Sequence, residues 1–232
     1  MNRENFINEV LKLGIEVTDE KMNMLKIYYD LLIEWNEKIN LTAITERKEV
    51  YLKHFYDSLT IAKVIDLNTI SSFCDIGTGA GFPGLVIKIF YPHIELTLVD
   101  ALNKRIKFLG IIVEKLGLSD VSLVHARAEE YSKENRDMFD VVSARAVAPL
   151  NVLLEYSMPL VKMNKYFIAM KGNEDLTESK NALSVMGGKV VKREEFYLPF
   201  EESKRTIIKI QKIKETSNKY PRRYAEIKKK PL

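Results

Sequence analysis

The chain has 232 residues, 46% of them apolar and 29% charged, with a single cysteine and a formal net charge of +4. That length suits one large domain or a domain with an appendage, and the composition excludes disordered, fibrous and disulfide-stapled classes. No apolar run approaches the roughly 18 residues of a membrane span. MNRENFINEV is not expected to act as a leader, and Cys74 alone cannot form an internal disulfide, so a cytoplasmic setting is expected.

In chain order, a short helix is predicted over residues 3–13, ending at Gly14. KMNMLKIYYDLLIEWNEKIN (21–40) spaces Met24, Ile27, Tyr28, Leu31, Leu32, Trp35 and Ile39 three and four residues apart, as an amphipathic helix does. Thr18 is its candidate N-cap, and Asn40 ends it. RKEVYLKHFYDSLTIAKVI (47–65) carries a further apolar stripe. Residues 1–66 therefore read as a helical cap, 67–213 as the main domain and 214–232 as a basic tail.

The main domain alternates strands and helices. SSFCDIG, ELTLVD, VSLVHARA, DVVSARA and KYFIAMKG read as strands, with helices over PGLVIKIFY, NKRIKFLGIIVEKLG and PLNVLLEYSMPLV. That spacing predicts right-handed crossovers and a mostly parallel sheet covered on both faces. KVVKREEFYL and RTIIKIQKI are separated only by PFEESK, too short for a crossover, so they form an antiparallel hairpin. The expected fold is α/β and Rossmann-like, with a seven-stranded, mostly parallel sheet and an antiparallel last strand. The tail sets Lys214, Lys219, Arg222, Arg223, Lys228, Lys229 and Lys230 against Glu215 and Glu226. A polyanionic partner and a merely solvated, disordered end both account for it.

FCDIGTGAGFPG (73–84) admits two parses: G-x-G-x-G from Gly77, Gly79 and Gly81, and the dinucleotide spacing from Gly79, Gly81 and Gly84. Asp100 ends the next strand, where a carboxylate can accept hydrogen bonds from both ribose hydroxyls of an adenosine. Asp75, before the loop, suits the ammonium of an aminoacyl group better than a pyrophosphate. The terminal hairpin is the arrangement of class I S-adenosyl-L-methionine (AdoMet) methyltransferases, by analogy of fold. These two observations favour the first parse. A nicotinamide oxidoreductase and a non-catalytic RNA-binding module remain alternatives.

For a methyl acceptor, SARAVAPL stands where amino-nitrogen methylation calls for a polar-Pro-Pro-aromatic motif. Cys74 lies in the first strand, far from where a carbon-5 nucleophile belongs, and reads as core. A ring nitrogen such as guanine N7 has a free lone pair and needs no base, which agrees with the absence of an evident one.

EWNEKINLTAI, KHFYDSL, DIGTGAGFPG, LVDALNKRIKFL, ARAEE, SARAVAPL, MKG and KYPRR follow one another across nearly the whole chain. Together they resemble the glucose-inhibited division protein B family of small-subunit ribosomal RNA methyltransferases. The resemblance implies AdoMet-dependent methylation of guanine N7 in 16S ribosomal RNA, on free RNA, an assembly intermediate or the small subunit, by an expected monomer. It implies that Gly77, Gly79, Phe82, Asp100, Ala128, Glu129 and Arg145 meet the cofactor. Arg145 stands where cofactor and guanine join, as the catalytic candidate. Lys171, Arg222 and Arg223 are the candidate RNA contacts. The tail departs from the family in lacking its Pro-Gly turn after Arg223.

His54 and Asp57 lie one helical turn apart and read either as site residues or as ties between cap and sheet. Trp35 fits the apolar stripe better than a base-stacking platform. His93 and His125 are isolated, and no Cys/His cluster has zinc spacing, so no metal is expected.

Overall fold

The structure, a computed structural model, describes residues 1–145, 148–172 and 176–232. Ala146 and Val147 of the SARAVAPL motif lie outside the described residues.

The cap begins with α1 (Arg3–Lys12) and α2 (Asp19–Ile39). Thr18 caps α2 by accepting the Lys21 N–H, and Asn40 ends it in the left-handed region at φ 51°. Met22, Leu25, Tyr28 and Leu32 form the buried stripe of α2; each such side chain contributes about 1.5–3 kcal/mol when removed from water. The third helical stretch is irregular. α3 (Arg47–Val50) runs into a π-turn over Tyr51–Tyr56, then α4 (Asp57–Leu59) and a 3₁₀ turn over Thr60–Lys63. The wider turn carries His54, and Asp57 follows it at once.

The sheet strands are β1 (Ser72–Ile76), β2 (Glu95–Asp100), β3 (Val121–His125), β4 (Phe139–Arg145), β5 (Val161–Lys171), β6 (Gly188–Tyr197) and β7 (Lys204–Lys212). Their order is β3-β2-β1-β4-β5-β7-β6. β3, β2, β1, β4 and β5 pair in parallel, while β7 pairs antiparallel with both β5 and β6. The predicted hairpin and reversed last strand are present. The helices between strands are α5 (Gly84–Phe90), α6 (Asn103–Leu116), α7 (Ala128–Glu134), α8 (Leu150–Ser157) and α9 (Lys180–Met186).

Strand alternation divides the interior into two layers. On one face Phe73, Leu96, Leu98, Val141 and Ile168 pack with α5, α6 and the cap, so cap and sheet share one core. On the other, Cys74, Ile76, Val99, Val142 and Ala144 pack with α7, α8 and α9. Asp75 and Ser143 alternate with that second set and face the cap.

Three expectations change. The polar stretch after β3 forms α7, which buries Glu129 and Ser132. β5 starts at Val161 rather than 165, because Phe139 pairs with Val161 before the register shifts to Val141 with Tyr166. The basic tail is ordered: α10 (Tyr224–Lys229) buries Ile227 completely.

Candidate functional site

The glycine loop is shaped by a carboxylate. Asp75, fully buried at the end of β1, accepts from the Thr78 hydroxyl at 2.7 Å and the Gly84 N–H at 3.1 Å through Oδ2. Its Oδ1 accepts from the Ser143 hydroxyl at 2.8 Å. Both oxygens are thus turned inward and engaged, so Asp75 holds the loop rather than meeting an ammonium group. Burial raises its pKa to about 6, against the pull of those three donors.

Gly77, Gly79 and Gly81 all have positive φ, as the first parse requires. At Gly81 a Cβ would stand 2.5 Å from the Tyr28 hydroxyl, so this turn also needs the space. That hydroxyl donates to the Ala80 carbonyl and pins α2 onto the loop. Gly84 opens α5 against Leu98, a packing glycine, as its place beside Pro83 suggests.

Asp100 is 3% exposed at the end of β2. Its Oδ2 accepts from the Gly79 N–H at 2.9 Å and from Arg105 at 3.2 Å, and its Oδ1 from the Leu102 N–H at 2.9 Å. The carboxylate is therefore oriented by the glycine loop and by the first turn of α6.

Phe82 is the centre of an aromatic stack. His54 lies nearly parallel to it with centroids 4.5 Å apart, Tyr28 stacks at 5.3 Å, and the Arg145 guanidinium sits 5.2 Å from its centroid. Arg145 donates to the Lys53 carbonyl at 3.2 Å and to Asp57 Oδ2 at 3.3 Å, and its other terminal nitrogen is 3.4 Å from His54 Nδ1. Asp57 also accepts from Arg205 Nε at 3.1 Å. Two arginines, from β4 and β7, thus converge on one cap carboxylate that is almost wholly buried. His54 Nε2 meets the Thr42 hydroxyl at 2.9 Å. Burial, reinforced by the Arg145 and Arg205 charges, lowers the His54 pKa to about 3, so the imidazole is neutral.

These groups line three cavities in series along the C-terminal edge of the parallel strands, where ligands bind in such sheets. The first, about 420 Å³, is bounded by Gly77, Val99, Asp100, Ala128, Glu129 and Tyr156, among others. The second, about 470 Å³, shares Gly77, Asp100 and Ala101 with it and adds Gly79, Phe82, His54, Arg105 and Arg145. The third, about 250 Å³, shares His54 and Arg145 with the second and adds Lys53, Asp57, Lys171 and Arg205. Eight predicted site residues are thereby brought together: Gly77, Gly79, Phe82, Asp100, Ala128, Glu129, Arg145 and Lys171. Lys171 is aimed by donating to the Ala148 carbonyl at 2.7 Å.

Arg222 is engaged within the protein. Its guanidinium clasps Glu155 with Nε to Oε1 at 2.9 Å and a terminal nitrogen to Oε2 at 2.7 Å, and its remaining terminal nitrogen donates to the Lys230 carbonyl. The Glu155 side chain is 1% exposed, so this cation compensates a buried charge. Arg223 is exposed on the adjoining surface. His54 and Asp57 do both things weighed for them: they line the site and tie the cap to β4 and β7. Arg105 and Arg205 were not anticipated; in β7, KRTIIKIQK, Arg205 is one of four cations and nothing in the sequence singles it out. Trp35 packs against Phe108 as a core-edge residue, and Cys74 is buried. Among the described residues no cluster of His, Cys, Asp or Glu could hold a metal ion, and no helix is long and apolar enough to cross a membrane.

Solved structures share this fold. The chain is similar to a SAM dependent methyltransferase from Aquifex aeolicus (TM-score 0.53, 16% identity, 78% of this chain and 98% of that one). It is also similar to a 16S rRNA (adenine(1408)-N(1))-methyltransferase from Catenulisporales acidiphilia (TM-score 0.54, 14% identity, 63% and 87%). The sheet order is that of a Rossmann-like α/β fold, with the candidate site at its C-terminal edge. Sequence relatives are more specific. The family model for GidB, rRNA small subunit methyltransferase G, matches residues 21–208. Proteins named ribosomal RNA small subunit methyltransferase G are 50% identical over 236 residues in Macrococcus caseolyticus and 48% over 237 residues in Bacillus subtilis, each covering 100% of this chain and 99% of the relative. The chain belongs to the GidB family of rRNA small subunit methyltransferases. It is an rRNA methyltransferase, and the nicotinamide and non-catalytic alternatives fall away.

Proposed function

We propose that this enzyme moves the methyl group of AdoMet to N7 of a guanine in 16S ribosomal RNA, acting as a monomer in the cytoplasm. The observation that carries the reading is the row of three cavities, with Asp100 between the first and second and Arg145 between the second and third.

The residues fit the cofactor on chemical grounds. Glu129 Oε1 is buried without a hydrogen-bond partner on the wall of the first cavity, its nearest cation being Arg127 at 3.9 Å. An amino edge such as that of adenine is the donor it lacks. Asp100 has the charge and position to accept from ribose hydroxyls, with Gly77 and Ala128 beside it. The second cavity, between the glycine loop and Phe82, would take the aminoacyl and methyl end, and the third the guanine.

AdoMet, when bound, supplies a methyl on a cationic sulfur, open to in-line attack by a lone pair. Guanine N7 loses no proton, so the protein's task is alignment and electrostatics. His54, neutral and stacked on Phe82, adds no positive charge beside the sulfonium. Asp57 offsets the charges of Arg145 and Arg205 on the acceptor side. The guanidinium of Arg145 suits the guanine O6 acceptor next to N7, a contact that leaves the N7 lone pair free. Lys171, Lys53 and Arg223 present cations to phosphates.

The test is transfer of labelled methyl from AdoMet to small-subunit RNA from a methylation-deficient strain, followed by nucleoside analysis. Label in 7-methylguanosine is expected, and Arg145→Ala should cut transfer at least 100-fold while S-adenosylhomocysteine still binds. Label in another nucleoside would overturn the acceptor assignment.

A further inference from the structure

We propose that the C-terminal segment is part of the cofactor site: Tyr224, Ile227 and Pro231 form the outer wall over the adenine, as a strap latched by Arg222 on Glu155. This rests on the reading of the first cavity as the adenosine end.

The first cavity has two walls of different origin. One consists of strand ends and their loops, from Val99 to Ala101 and from Ala126 to Glu129, with Val152 and Tyr156 of α8. The other is Tyr224, Ile227, Lys228 and Pro231, all more than sixty residues further along the chain. Without the second wall the cavity is an open groove, and one face of a purine would meet water.

Few contacts hold the strap. Arg222 pairs with Glu155, and the same guanidinium reaches the Lys230 carbonyl, which closes the far end of α10. Arg136 donates to the Tyr220 carbonyl at 2.8 Å and also to that of Thr216. Asn151 donates to the Leu232 carbonyl at 3.2 Å, and the Arg127 guanidinium lies 4.5 Å from the Tyr224 ring centroid. Ile227 is the one buried side chain of α10. A six-residue helix has no stability of its own, so its order depends on the surface it covers. A purine filling the cavity enlarges that surface, and by linkage whatever stabilises the closed strap tightens the cofactor. The exposed cations Arg223, Lys228, Lys229 and Lys230 give the strap a face that RNA phosphates can press shut.

The test uses the full chain with S-adenosylhomocysteine as probe. In calorimetry, Arg222→Ala and Ile227→Ser should each weaken binding at least tenfold and Tyr224→Ala severalfold. With wild-type protein, saturating probe should slow trypsin cleavage after Arg223, Lys228 and Lys229 while leaving cleavage after Lys189 and Lys192 unchanged. Variant affinities equal to wild type, or tail cleavage indifferent to the probe, would overturn the strap alone. A wild-type chain that does not bind the probe would overturn the cofactor reading and the strap with it.

Discussion

The two ends of the chain both close over the site edge of the sheet, but different physics holds them there. The cap contributes Phe6, Val10, Leu25, Tyr28, Leu32 and Phe55, all fully buried, to the same apolar cluster as Phe73 and Leu98 of the sheet. At about 1.5–3 kcal/mol per side chain, that burial far exceeds what any single substitution removes. The tail buries Pro221 and Ile227, packs Tyr220 and Leu232 less fully against the cluster that holds Ile227, and adds polar clasps, chiefly Arg222 with Glu155. Distributed apolar burial makes a permanent wall, whereas a few apolar anchors and polar clasps make a wall that opens locally without unfolding the domain.

Tyr28→Ala should break this comparison most forcefully. It removes a fully buried ring packed on Phe55 and Phe82 and the hydrogen bond to Ala80, and should cost about 3–5 kcal/mol of global stability in urea titrations. Arg222→Ala should act at the other end and with a different signature. Stranding the buried Glu155 carboxylate would cost about 3 kcal/mol if the tail stayed in place; release of the tail into water reduces this to about 1–2 kcal/mol. Hydrogen exchange should then show lost protection at the Ile227 and Lys230 amides and none lost in α2. The smallest effect concerns His54. Its folded pKa is depressed, so its stabilising contribution is complete above the unfolded value of about 6.5 and falls away as pH drops toward about 3. Wild type should lose about 0.7 kcal/mol more than His54→Gln between pH 7 and pH 6, measured by denaturant midpoints.

Much of the sheet and of the glycine-loop end of the candidate site was legible because their signals are local. A strand, a glycine turn and a helix announce themselves within a dozen residues, and Asp100 follows at a fixed interval. The acceptor end was legible only in part. Arg145 meets Asp57 across 88 residues of sequence, and Asp57 meets Arg205 across 148. No spacing rule spans such distances; the topology alone makes these residues neighbours. α7 escaped notice because AEEYSKE has no apolar stripe, and the side chains it buries are a glutamate and a serine. In the tail, seven cations mask the single isoleucine that orders it. The ion pair of Arg222 was hidden for the same reason: a charge run does not reveal which of its members has a buried counter-ion.

The hydrogen bond between Asp75 and Ser143 has a consequence for how the site is assembled. Ser143 stands two residues before Arg145 on β4, so their side chains leave the strand on the same face. Asp75 simultaneously grips Thr78 and the first N–H of α5. One side chain therefore sets the spacing between the glycine loop and the end of β4 that carries Arg145. In the proposed function that spacing is the molecule's own ruler for the length of the transfer, fixed in the buried layer beneath the glycine loop.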